Sequence, residues 1–164
     1  MEEKLMDEHE KLMQAKPVNE HDFLEVVRQG LSLKEIDVMT YSPLTLAYIG
    51  DDAYDLIIRT YVLNKGNMPV NKLNKMANEL VKAGAQSAMM GVIEPLLDAE
   101  ELAVYKRGRN AKSYTKAKNA TIGDYRRATG FEALMGYLYL TGSYVRMVEL
   151  IKAGLSERLD TDEV

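Results

Sequence analysis

The chain is 164 residues long, enough for one domain with a real core, and its 46% hydrophobic and 28% charged residues suit a soluble globular protein. It has no cysteine and only two histidines, His9 and His21, which excludes disulfides, thiolate zinc sites and cysteine nucleophiles and leaves too few imidazoles for a histidine metal centre. The net charge of −4 is unevenly spread: residues 105–127 hold eight basic side chains and one acidic, a local +7, leaving −11 on the remainder. A basic segment on an acidic body is the footprint of a polyanion site. No run is long and apolar enough to span a membrane, and the acidic N-terminus, EEKLMDEHE, is unlike a signal peptide. The expectation is a cytoplasmic protein.

Residues 1–16 read as a short amphipathic helix or a mobile appendage, broken off by Pro17 and Asn19. Phe23, Val26, Val27 and Gly30 predict a second helix, and Ser32 with Glu35 has capping-box spacing for a turn reaching Val38. Nothing in residues 1–41 carries chemistry; they read as a helical or partly disordered extension to a domain spanning 42–160.

Residues 42–63, SPLTLAYIGDDAYDLIIRTYVL, form the central helix of this reading. Ser42 is placed to cap it, with Pro43 at the first helical position. Apolar side chains lie on nearly every side, which implies burial in a core or an interface. Gly50, Asp51, Asp52 and Asp55 interrupt it. Mid-helix glycine costs about 1 kcal/mol against alanine. Carboxylates in an apolar helix need a partner or a cation. Asp51 and Asp55 share a face, and two readings stand: a solvated stripe with Asp55 pairing Arg59, or a site.

Residues 70–90 predict one helix with Leu73, Met76, Ala77, Leu80, Val81 and Gly84 as its seam and Lys72, Lys75 and Lys82 in solvent; Met89 and Met90 read as core filling. Pro95 lies in a link, and Asp98 with Glu101 starts a helix through Tyr105 by a capping box. Residues 106–118, KRGRNAKSYTKAK, read as a basic loop. Its charges are either a solvated run favoured at a helix end or, with Asn110, Ser113, Tyr114 and Thr115, groups that contact phosphates and ribose. Residues 125–141 form another apolar helix with Glu132 near its start, where Thr129 and Glu132 have capping-box spacing of their own. The last helix, 143–159, turns Val145, Val148, Leu150, Ile151, Leu155 and Leu159 inward. No alternating strand pattern occurs, so the fold expected is all-α.

YIGDDAY, KRGRNAKS and YRRATGFEALMGYLYL, in this order, resemble the ribonuclease III family, and most nearly Mini-ribonuclease III, its catalytic-domain-only form. The resemblance spans about residues 43–140. It implies a single-domain helical endonuclease that cuts double-stranded RNA with Mg²⁺ and leaves 5′-phosphate and 3′-hydroxyl ends. The implied natural substrate is precursor 23S ribosomal RNA, and the implied assembly a homodimer joined through the central helix. Asp51 and Glu132 are the implied catalytic metal ligands, with Asp55 supporting Asp51. Arg107, Arg109, Asn110, Lys112 and Lys118 are assigned to RNA. Larger ribonuclease III enzymes carry acids where this chain has Ala47 and Thr129, and a small residue where it has Asp52. The acid set is therefore reduced, which bears on the number of metal ions. Two rivals stand beside this reading: a non-catalytic RNA-binding module of the same fold, and a helical protein-interaction domain.

Overall fold

The structure, a computed structural model, describes residues 17–112 and 121–159. The chain divides into two compact units, residues 1–36 and 37–164. In the first, α1 (Phe23–Gly30) is capped by Asp22, whose side chain accepts from the Glu25 amide. The expected capping box at Ser32 and Glu35 does not form. Ser32 instead takes a left-handed conformation (φ 53°) just past the helix. The Leu33 amide donates back to the Arg28 carbonyl and the Ser32 amide to that of Gln29, a helix stop in which glycine is the usual occupant.

The second unit begins with a 3-10 turn, Val38–Thr40, capped by Asp37. Six helices follow among the described residues: α2 (Pro43–Leu63), α3 (Val70–Val81), α4 (Ala83–Ile93), α5 (Ala99–Asn110), α6 (Ile122–Leu140) and α7 (Tyr144–Leu159). No strand occurs among the described residues, so the all-α expectation holds. Ser42 caps α2 as its sequence predicts, its Oγ accepting from the Thr45 amide. Asp98 and Glu101 form their capping box at the start of α5.

Three expectations need correction. The single helix over 70–90 is two helices, because Lys82 is extended (ψ 152°). The carbonyls exposed at the end of α3 are taken by side chains: the Tyr54 hydroxyl donates to Leu80 and an Arg158 Nη1–H donates to Glu79. The bend allows α4 to bury Gln86, Met89, Met90 and Ile93 in the core. Second, α5 runs on to Asn110, so the first part of the basic segment is helix, not loop. Third, α7 turns Met147, Leu150, Ile151 and Leu155 inward, while Val145 and Val148 are 76% and 50% exposed. That inward stripe has i, i+3, i+4, i+8 spacing, and Gly154 lets it seat closely on Met89 and Ile93. The Leu159 side chain lies outside the description.

The most buried helix is α6, which is covered on several sides. Phe131, Leu134, Met135 and Leu138 pack with Tyr54, Ile58, Met89, Met90 and Leu150, and the Tyr54 and Phe131 rings meet edge to face at 4.8 Å. Two glycines of α6 let neighbouring helices reach its backbone. A Cβ on Gly136 would strike the Leu46 carbonyl of α2, and one on Gly130 would come 2.7 Å from the Tyr105 ring of α5. A half-buried ion pair joins α5 to α7: Arg146 donates through Nε and Nη2 to both carboxylate oxygens of Glu101, each at 2.9 Å.

Candidate active site at the crossing of α2 and α6

Gly50 is the reason the two acids meet. A Cβ there would overlap the Glu132 carbonyl oxygen and come 2.5 Å from the Gly136 amide, so α2 and α6 cross backbone to backbone. The crossing puts Asp51, the next residue of α2, against Glu132 of α6, with the two carboxyl groups in hydrogen-bonding contact. Burial, then the Asp51 charge, pushes the Glu132 carboxyl up to about 8. Asp51 is solvent-exposed at its surface, yet loss of water on its inner side, then the Asp52 charge, raises its carboxyl, with the hydrogen bond from Glu132 acting the other way. Two carboxyls this close share a proton at neutral pH unless a cation neutralises them.

Glu132 lies in the middle of α6, ten residues from its start, and this corrects the capping alternative. The helix is capped by Thr121, which accepts from the Asp124 amide, whereas the Thr129 hydroxyl donates to the Tyr125 carbonyl within the helix. Glu132 is therefore not engaged in a cap. Asp55 sits one turn beyond Asp51 and is half-buried, its carboxylate accepting from Arg59 Nε at 2.8 Å. Asp52 is exposed. Ala47 and Thr129, where further acids were absent from the sequence pattern, are buried. No group of three or more His, Cys, Asp or Glu side chains able to hold a metal occurs among the described residues.

Two carboxylates that meet with no cationic partner among the described residues fit a hard divalent ion. Mg²⁺ is commonly held by one or two carboxylates, with water and substrate phosphate completing its shell. Asp51 and Glu132 are the residues that would hold it.

Residue-level reading of the sequence missed Gln86. Its side chain on α4 is fully buried, neither amide atom makes a well-formed hydrogen bond, and it lies close enough to Glu132 to favour the charged carboxylate. The only signal was a large amide in an otherwise small and apolar segment, AGAQSAMM. Also missed was its neighbour Ser87, which donates to Asp124 and accepts from Arg127 Nε, both at 2.7 Å, tying α4 to the first turn of α6.

Of the residues assigned to RNA, Arg107, Arg109 and Asn110 occupy the last turn of α5, and Lys112 follows it. The Arg109 guanidinium lies 5.6 Å from the centre of the Tyr105 ring and donates to Asn110. Arg107, Asn110 and Lys112 are exposed; Lys118 lies outside the described residues. Gly108 anchors this turn to α6, where an added Cβ would come within 2.7 Å of Ala133 and 2.9 Å of Gly130, on either side of Glu132 in sequence.

The ribonuclease III domain profile matches residues 44–143, which takes in Asp51, Glu132 and the basic turn. A Mini-ribonuclease 3 of Clostridium tetani is 51% identical over 124 residues, 75% of this chain and 82% of that protein. The chain belongs to the ribonuclease III family, among the Mini-ribonuclease 3 proteins. The Mini-ribonuclease 3 of Enterococcus faecalis is 45% identical, covering 77% of this chain and 98% of the relative. A Fusobacterium nucleatum protein solved by X-ray crystallography superposes with a TM-score of 0.71 at 30% identity, covering 79% of this chain and all of that one. As a ribonuclease III family member the chain is an endoribonuclease, and the family acts on double-stranded RNA.

Proposed function

We propose that this endoribonuclease matures the ends of precursor 23S ribosomal RNA in the cytoplasm, cutting both strands of a duplex with Mg²⁺. The observation that carries the catalytic part is the meeting of Asp51 and Glu132 across the glycine crossing of α2 and α6. The precursor substrate and the 5′-phosphate and 3′-hydroxyl ends are inferred from the resemblance to Mini-ribonuclease III. When bound, the metal supplies an activated water and neutralises the departing oxygen. Asp51 and Glu132 would hold the ion by their carboxylates. With two acids only, the site would leave room in the ion's shell for the scissile phosphate, so RNA and metal should bind cooperatively. Asp55 supports Asp51 from the next turn. Arg107, Arg109, Lys112 and Lys118 neutralise backbone phosphates and the Asn110 amide donates to them, which suits a duplex read by shape rather than by sequence.

Two cuts per duplex require two sites, and a symmetric homodimer joined through α2 provides them. The open face of α2 supports this, with Tyr48 77%, Leu56 60% and Leu63 61% exposed.

The test is incubation of the purified protein with precursor 23S RNA and an unrelated duplex, with and without Mg²⁺, mapping the ends produced. Mg²⁺-dependent cuts on both strands near the mature termini are expected. Asp51→Asn should abolish them while the protein stays folded and still binds duplex. Normal cutting by Asp51→Asn would overturn the site, and binding without any cleavage by the natural chain would leave a non-catalytic RNA-binding module.

A further inference from the structure

Gln86 is the one fully buried side-chain amide of the core whose donor and acceptor both lack a well-formed partner among the described residues. Burying an unsatisfied amide is costly, and an apolar side chain of the same volume would avoid that cost. The segment around it, AGAQSAMM, is otherwise built of small and apolar side chains. The amide faces Glu132 across the contact of α4 with α6. Ser87, the next residue, fixes the register of that contact through Asp124 and Arg127.

We infer that Gln86 is a positioning residue for the metal: its buried, unpartnered Nε2–H is placed to donate to the Glu132 carboxylate and hold it toward Asp51 when a cation is bound there. Ligating carboxylates are generally oriented by hydrogen bonds from outside the coordination shell, and loss of such a bond costs ~10–100-fold in metal affinity. This inference rests on the reading of Asp51 and Glu132 as the metal ligands.

The experiment is titration of the RNA-free protein with Mg²⁺, following the side-chain amide resonances of uniformly ¹⁵N-labelled protein and the melting temperature. In the natural protein the Gln86 Nε2 resonances should shift with saturation, and in Glu132→Gln they should not. Gln86→Met, near in volume but without a donor, should need ~10–100-fold more Mg²⁺ for half-saturation. Its metal-free melting temperature should be unchanged or higher, because two orphaned polar atoms are gone. A purely structural glutamine predicts the reverse, a lower metal-free melting temperature with unchanged Mg²⁺ affinity, and that result would overturn the inference. So would Gln86 resonances that ignore Mg²⁺ in the natural protein while other signals saturate, a measurement that stands even if Gln86→Met does not fold. If the natural protein shows no saturable Mg²⁺ effect that Glu132→Gln abolishes, the metal reading itself fails and the positioning role falls with it.

Discussion

Glu132 concentrates the electrostatics of the site in one side chain. Its carboxyl titrates near 8 in the metal-free fold, held up first by burial and then by Asp51, whereas in the unfolded chain it has an ordinary carboxylate value. Between roughly pH 5 and 8 the unfolded chain has released this proton and the native state keeps it, so native stability contributed here is lost as pH rises and levels off above 8. Metal-free protein should accordingly melt lower at pH 8 than at pH 5.5 by an increment that Glu132→Gln removes, making the variant the more stable of the two at pH 8. Calorimetry in chelator reads this directly, and a natural protein with no such increment relative to the variant would contradict the burial of an ionisable Glu132. Under the proposed function Mg²⁺ would displace the same proton, so its affinity should rise with pH. Cleavage by Glu132→Gln should fall by orders of magnitude, since glutamine keeps the shape but not the charge a hard cation needs. Thr129→Ala is the contrast. It removes one hydroxyl-to-carbonyl bond within α6, about 1 kcal/mol, and should leave turnover largely intact.

At the scale of the helix, glycines separate into those that permit a crossing and those that do not. Gly50→Ala pushes a methyl into the Glu132 carbonyl, an overpacking that costs about 1–3 kcal/mol and moves Asp51 off its partner. Gly91→Ala, with nothing within 4 Å of the added Cβ in α4, should instead stabilise by about 0.4–1 kcal/mol. Denaturant midpoints and initial cleavage rates should therefore fall together for the first and rise or hold for the second. Equal effects would mean that the close crossing does not set the site. The Glu101–Arg146 pair is a second element-scale anchor, because Glu101 is 3% exposed and also closes the capping box of α5. Arg146→Met strands that charge and should cost about 2–4 kcal/mol, below a fully buried pair because the arginine remains a third exposed. Adding Glu101→Gln, which keeps the capping box, should recover much of the loss in urea unfolding; no recovery would assign the cost to lost packing alone.

For the whole molecule, the open face of α2 makes the quaternary prediction. Sedimentation equilibrium at micromolar concentration should give twice the 18.5 kDa chain mass, and Leu56→Lys should shift it to monomer and weaken double-strand cutting. A natural protein found only at 18.5 kDa would remove the homodimer from the proposal. Local pattern was enough for much of this molecule: the helix starts at Ser42 and Asp98, and the all-α class. Those features depend on side chains within a turn or two of each other. Others were decided by contacts distant in sequence. Thr129-x-x-Glu132 satisfies the capping-box pattern yet lies inside α6, because the burial of Phe131, Leu134 and Leu138 extends that helix back to Ile122. Lys82 breaks a run whose periodicity favours one helix, because Tyr54 and Arg158 accept the work of bonding the exposed carbonyls. Val145 and Val148 face outward because the opposite stripe fits Met89 and Ile93 more closely. Gln86 has no motif, and only the packing of α4 on α6 brings its amide to Glu132. Periodicity states which side chains can share a face; which face is buried, and what it meets there, is set by the partner helix.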